Sequence, residues 1–262
     1  MFLALADAAL CEAGTGMRLL RIAMRLTLVR RMLAGLEAWA LPGIQWHYVL
    51  RKQRLHQWAV QAQALGYAQL LILGAGFDGL SLSFARCATL SVVELDHPAT
   101  QASKRRALAQ IGALPPNLHL YAMDLATGRL RDTLRSSGLH RDVPTLVVAE
   151  GLLMYLPRRR CLRLACELLA WFRGRLRLAL SVMQLNAEGD AGFAHASPAI
   201  NRWLARRGEP FRWGCAAQAL EAALNRFQLR ELARHDPSVA PSPPAQGWSP
   251  CPGEDLRLVE RG

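Results

Sequence analysis

Apolar residues along this chain follow two spacings, and the switches between them outline an architecture. Short unbroken apolar runs at 70–73, 90–94, 118–122, 145–149 and 176–182 predict buried strands. The stretches 98–111 and 158–172 between them predict helices, as do 198–207 and 214–226 further on. A strand at 228–233 and a short strand-like run at 256–259 close the chain, separated by a Pro/Ser-rich segment at 237–247 that reads as an irregular surface loop. Strands alternating with helices imply a mostly parallel sheet with right-handed crossovers, and ligands bind beyond the carboxyl ends of such strands. Upstream, residues 1–40 read as helix, with apolar positions at Leu19, Leu20, Ile22, Ala23, Leu26, Val29 and Leu33 and arginines at 18, 21, 25, 30 and 31. Leu41-Pro-Gly43 breaks that pattern, and 44–65 resumes it. The expected organisation is one domain: an N-terminal helical cap at 1–65 against a ligand-binding body at 66–262.

Arginine interrupts every apolar run of the first forty residues well before the eighteen or so a membrane span requires. Those residues also lack the charged start, apolar middle and small-residue cleavage site of a secretory leader. An apolar face packed on the domain is the favoured reading of this segment. A basic amphipathic contact with a membrane surface is the lesser one.

Two segments carry the chemistry. The first is Leu70-Leu-Ile-Leu-Gly-Ala-Gly-Phe-Asp-Gly79, followed by Ser91-Val-Val-Glu-Leu-Asp96: a strand, a glycine turn, a helix and a second strand with acids near its end. Gly74 permits a tight turn, Gly76 a close backbone approach to a ligand, and Gly79 close helix–sheet packing. Glu94, twenty residues after Gly74, is placed at the tip of the second strand, where a carboxylate can accept from both hydroxyls of a ribose. Asp96 either assists or caps the helix that opens at Pro98. A nicotinamide dinucleotide and S-adenosylmethionine both suit this geometry. The second segment is Pro144-Thr-Leu-Val-Val-Ala-Glu-Gly-Leu-Leu-Met-Tyr-Leu-Pro157, in which an acid ends a strand and an apolar turn with a tyrosine leads into a helix.

The net charge of +12 raises nucleic acid as a partner. Its distribution argues against that: the cations are spread along the chain, no aromatic residues are interleaved to stack bases, and Lys52 and Lys104 are the only lysines. The six cysteines form no C-x-x-C pair and have no His-rich neighbour, so neither a disulfide framework nor a metal site is indicated. Reduced cysteines suit a cytoplasmic location.

Taken together with Glu94-Leu-Asp-His-Pro and Met123-Asp-Leu125, the two segments resemble the leucine carboxyl methyltransferase family, whose members O-methylate carboxyl groups with S-adenosylmethionine. The resemblance runs from about Arg51 to Pro157 and continues weakly through Gly208-Glu-Pro-Phe-Arg-Trp213 to Gly253-Glu-Asp-Leu256. It implies a Rossmann-like class I methyltransferase fold, a seven-stranded α/β sheet whose last hairpin is antiparallel, with helices on both faces. It also implies roles. Arg51, with Lys52 as understudy, grips the methionine carboxylate of the cofactor. Gly74, Ala75 and Gly76 cradle it, Glu94 takes the ribose, Asp124 and Leu125 flank the adenine, and Glu150 lies by the amino group. Tyr155 would hold an acceptor oxygen in line with the methyl.

The expected activity is methyl transfer to a carboxyl or hydroxyl oxygen of a small molecule or a protein C-terminus. A carboxylate is ionised at neutral pH and needs no general base; for a hydroxyl, His97 or His195 would be the candidate. A nicotinamide-dependent oxidoreductase and a non-catalytic cofactor-binding regulator are the rivals. Three departures from the family pattern bear on the acceptor: Asp78-Gly79-Leu80 in place of Asp-Thr-Arg, His56 near an expected acid, and Gln184 near another.

Overall fold

The computed structural model describes residues 35–186, 189–236 and 251–262. A helical stretch at 35–40 leads into α1 (Ile44–Ala64), and then come β1 (Gln69–Leu73), α2 (Leu80–Phe84), β2 (Ser91–Asp96), α3 (Pro98–Ile111), β3 (Leu118–Ala122), α4 (Leu130–Ser136) and β4 (Thr145–Ala149). A 3-10 turn at Leu153–Tyr155 precedes α5 (Arg158–Trp171), β5 (Leu176–Met183), α6 (Pro198–Arg206), α7 (Ala217–Arg226), β6 (Leu229–His235) and β7 (Glu254–Arg261). The seven strands form one sheet in the order β3-β2-β1-β4-β5-β7-β6. The first five are parallel, and β7 enters antiparallel between β5 and β6.

Strand periodicity divides the core into two apolar layers. Leu70 and Ile72 of β1, with Leu146 and Val148 of β4, pack on one face against α1, α2 and α3; Leu71, Leu73, Val147 and Ala149 pack on the other against α4, α5 and α7. Residues two apart on a strand share a face, so runs apolar at every position are what a sheet covered on both sides requires. The outer half of the expected cap, residues 1–34, lies outside the described residues. The inner half, α1, buries Leu55, Trp58, Ala59 and Ala62 in the same layer as the sheet.

Glu94 lies on the α1–α3 face of the sheet. It pairs in register with Ile72 and Leu120, with Leu95 and Asp96 still to come before β2 ends. Its carboxylate is fully buried and meets the Lys104 ammonium at 2.7 Å, and Lys104 is itself 1% exposed. Burial pushes the Glu94 carboxyl upward, against the opposing pull of Lys104. Removing one member of such a pair strands the other charge in an apolar layer, which typically costs about 3–5 kcal/mol. Lys104→Ala should therefore lower the stability of the chain by roughly that amount in urea unfolding, and Glu94→Leu combined with Lys104→Met should recover most of it. A single variant as stable as the parent would show that the pair is not what ties α3 to β2.

Candidate functional site

The carboxyl ends of β1, β2, β3 and β4 lie side by side at one edge of the sheet, and the loops leaving them carry the acids and glycines singled out by the sequence. Gly74 and Gly76 sit at φ +67 and +49. A Cβ on Gly76 would meet no atom within 4 Å, so its backbone faces open space; a Cβ on Gly74 would press on Leu152 at 3.0 Å. Positive φ at both positions and that opening are what a backbone cradle for a ligand requires.

Asp96, the last residue of β2, stands beside the cradle: one carboxylate oxygen accepts from the Gly76 amide, the other from the His97 amide at 2.6 Å. Glu94 is two residues short of the tip, on which the sequence reading had placed it, and is already committed to Lys104. The cap of α3 is His97, whose Nδ1 accepts from the Ala99 amide at 3.3 Å. His195 lines neither the cavity beside Lys52 nor the one around Tyr155.

After β3, Asp124 closes a turn on its own chain, accepting from the Ala126 amide at 2.8 Å and the Thr127 hydroxyl at 2.7 Å. These bonds, that of Thr127 foremost, lower its pKa. Leu125 is buried. The amide of Met123 donates to the Asp96 carbonyl, which brings this turn against the tip of β2.

After β4, Glu150 meets α1. Its two oxygens accept from Arg51 Nε at 2.7 Å and Lys52 Nζ at 2.9 Å. Arg51 also donates through Nη1 to Glu254 at the start of β7, 2.7 Å away, while its Nη2 lies closest to where a Cβ on Gly151 would stand. His47 completes the cluster, with Nε2 2.7 Å from the same Glu254 oxygen. Lys52 reaches a second carboxylate, Asp78 Oδ2, at 2.7 Å, and the Asp78 carbonyl accepts from the buried Lys104 ammonium at 2.9 Å. Both lysines of the chain thus converge on Asp78 and fix the loop that follows the glycines. Lys52 keeps the Asp78 carboxyl low against its burial, whereas burial raises that of Glu150 in spite of Arg51 and Lys52.

Among the described residues this edge brings the carboxylates of Asp78, Asp96, Asp124, Glu150 and Glu254 together with the cations Arg51 and Lys52. An acid surplus at a partly buried site favours a ligand of positive charge and opposes a pyrophosphate.

Tyr155 lines a cavity of about 540 Å³ that also takes in Arg51 and Gly151. Its ring is 5.7 Å from that of Phe211. The weakly matching segment Gly208–Trp213 acquires a role here, because the amides of Arg212 and Trp213 donate to the Met154 carbonyl and hold Phe211 over the cavity. Two of the departures, His56 and Gly79, line a second cavity of about 580 Å³ beside Lys52, and Gln184 donates to Asp255. Among the described residues no group of His, Cys, Asp and Glu is arranged to hold a metal ion.

Sequence reasoning missed His47, Tyr48 and Glu254. The run Gly253-Glu254-Asp255, matched only weakly, was the available signal for the last. Burial alone would raise the Glu254 carboxyl, but Arg51 and His47 hold it at about 2 instead of 4.5. A carboxylate lowered on folding contributes stability that is complete above its unfolded value and is lost as pH falls toward its folded one. The native state should therefore lose about 3 kcal/mol through Glu254 between pH 4.5 and 2. Glu254→Gln should flatten that part of the acid-unfolding curve; an unchanged slope would place the loss elsewhere.

The comparisons with known proteins agree with one another. A Mycobacterium bovis (strain BCG / Pasteur 1173P2) protein, named as a candidate S-adenosyl-L-methionine-dependent methyltransferase, is 31% identical over 155 residues, 59% of this chain and 50% of that protein. A Mycobacterium avium (strain 104) protein of the same name is 34% identical over 126 residues, 46% and 38%. The chain spans about half the length of the curated relatives it matches. Among solved structures, a candidate methyltransferase from Thermobifida fusca YX superposes with a TM-score of 0.62 at 18% identity, covering 89% of this chain and 88% of that one. Magnesium protoporphyrin IX methyltransferase from Synechocystis PCC 6803, solved with S-adenosylmethionine bound, gives 0.53 at 13%, covering 84% and 82%. At such identities the likeness is one of fold, and it bears out the expected Rossmann-like methyltransferase architecture. The family model named Leucine carboxyl methyltransferase matches residues 6–168, more than half of the chain, and the chain belongs to that family.

Proposed function

We propose that this chain is an S-adenosylmethionine-dependent methyltransferase acting on a carboxyl or hydroxyl oxygen. The observation that carries the reading is Arg51, held on two edges by Glu150 and Glu254 and left with Nη2 beside Gly151. A guanidinium fixed in this way offers a directed donor for a carboxylate. Glu150, with burial raising its carboxyl, gains from an ammonium nearby. Asp96 is the acid at the β2 tip for the ribose hydroxyls, the part the sequence assigned to Glu94. The open face of Gly76 admits the nucleoside, and Asp124 and Leu125 are kept for the adenine side. S-adenosylmethionine is an amino-acid-bearing nucleoside of net positive charge, which is what an acid-rich edge with one directed guanidinium suits. A nicotinamide dinucleotide would bring its pyrophosphate to the same acids.

When bound, S-adenosylmethionine supplies an electrophilic methyl on sulfur. The chain's own residues bind, orient and exclude water: Arg51 and Glu150 fix the amino-acid end, Asp96 the ribose, and the Tyr155 hydroxyl holds the acceptor oxygen in line. No helix among the described residues is long and apolar enough to cross a membrane, and Cys87, Cys161, Cys166, Cys215 and Cys251 are free. A reducing cytoplasm is the compartment we propose.

Three substitutions test the assignment of parts, in two comparisons. Asp96→Ala should weaken S-adenosylhomocysteine binding by roughly ten- to a hundredfold, the worth of charge-assisted hydrogen bonds, whereas Glu94→Gln should lower stability and leave affinity per folded molecule unchanged. Arg51→Lys should weaken S-adenosylhomocysteine strongly and methylthioadenosine, which lacks the carboxylate, hardly at all. Calorimetry decides both, and equal weakening of the two ligands by Arg51→Lys would remove the guanidinium from the cofactor's carboxylate.

A further inference from the structure

The cavity that Tyr155 shares with Arg51 has a composition of its own. Tyr48, Tyr155, Phe193, Trp203 and Phe211 supply aromatic walls, and leucines, isoleucines and Met154 most of the rest. The Phe211 ring is met by Tyr155 at 5.7 Å and by Phe193 at 6.1 Å, and the Arg51 guanidinium lies 4.6 Å over the Tyr48 ring. About 540 Å³ lies within the range of small-molecule sites and far exceeds one leucine side chain. Polar side-chain groups in the walls are few: the two phenols, the Trp203 indole, Arg51, and the pair Glu37–Gln45, in which Glu37 accepts from the Gln45 amide at 3.1 Å and from its side chain.

We propose, on the footing of the methyltransferase reading above, that the acceptor is a free apolar, ring-bearing monocarboxylic acid that enters this cavity as its carboxylate. Four features point to it. Most polar side chains of the walls are already engaged, Arg51 with Glu150 and Glu254, and Glu37 with Gln45, which leaves few partners for the amides of a peptide, and unpaired amides are costly to bring from water into an apolar site. The phenols of Tyr48 and Tyr155 donate to an anionic oxygen, and burial lifts Tyr155 to about 12, so it stays protonated and is no base for an alcohol. The other groups here able to take a proton are engaged: Glu150 and Glu254 with Arg51, His47 with Glu254 inside the core, and Glu37 with the Gln45 amide and side chain. Glu37 sets the limit of one carboxylate, since a second on the body of the substrate would meet it. In the reaction an oxygen lone pair of the acid forms the new C–O bond as the methyl carbon leaves sulfur. The electron pair of the C–S bond stays on sulfur, giving a methyl ester and S-adenosylhomocysteine with no proton transferred.

The test uses the full chain saturated with S-adenosylhomocysteine, into which 6-phenylhexanoate, 6-phenylhexanol, octanoate, octanedioate and a glycyl-leucine peptide are titrated; turnover then uses S-adenosylmethionine with a labelled methyl. The phenyl acid should bind at least tenfold tighter than its alcohol and the peptide, octanoate tenfold tighter than octanedioate, and the labelled product should be a base-labile ester. Tyr155→Phe should weaken the acid and leave the alcohol unchanged. If S-adenosylhomocysteine binds while no acid does, or while the alcohol or the peptide is preferred, the acceptor proposal falls and the methyltransferase reading stands. If S-adenosylhomocysteine itself does not bind, both fall.

Discussion

One guanidinium organises the candidate site. Arg51 leaves α1 near the middle of the chain's first described long helix and is met by carboxylates from two distant strands, Glu150 after β4 and Glu254 at the head of β7. A cation so enclosed persists only if its charge is answered, and two buried carboxylates answer it. The arrangement has a structural consequence: α1, the parallel half of the sheet and its antiparallel hairpin are tied at a single side chain. It also has a chemical one, because Nε and Nη1 of the guanidinium are spent on the protein while the group as a whole stays beside Gly151. The functional reading starts from that placement.

Around this bracket the fold arranges charge by strand end. β1 contributes the glycines, β2 Asp96, β3 the Asp124 turn and β4 Glu150. The acid surplus then discriminates between the nucleotide-type ligands that a glycine turn alone leaves open. Asp78 is the second organising point. With Lys52 on its carboxylate, Lys104 on its carbonyl and the Leu80 amide on its other oxygen, it joins the glycine loop to α1 and α3. A compact ammonium serves such bridging well, which gives the two lysines of an arginine-rich chain a physical reason to stand where they do.

The strands and most of the helices were legible because apolar runs and glycine breaks report local structure directly; the seven-stranded sheet with its antiparallel hairpin was implied by the family resemblance, and the strand order came with the structure. The exact end of β2 was not. Glu94 and Asp96 lie on the same face of the strand, so periodicity cannot separate them; only the register with β1 and β3 shows that the first is inside and the second at the tip. Lys104, ten residues after Glu94 on the following helix, was the one local hint of a buried partner. His47 and Glu254, 207 positions apart, could not be paired from the sequence at all. The aromatic cavity was equally hidden, since its walls come from α1, the turn at Tyr155, the loops around Phe193 and Phe211, and α6.

The most direct test of the central claim is a calorimetric titration of the unmodified chain with S-adenosylhomocysteine and, separately, with NAD. An acid-rich strand edge with one directed guanidinium predicts micromolar affinity for S-adenosylhomocysteine and no measurable heat with NAD. With ligand at 100 times its dissociation constant, S-adenosylhomocysteine should also stabilise the fold by about 2.7 kcal/mol. Binding of NAD without binding of S-adenosylhomocysteine would contradict the account at its base.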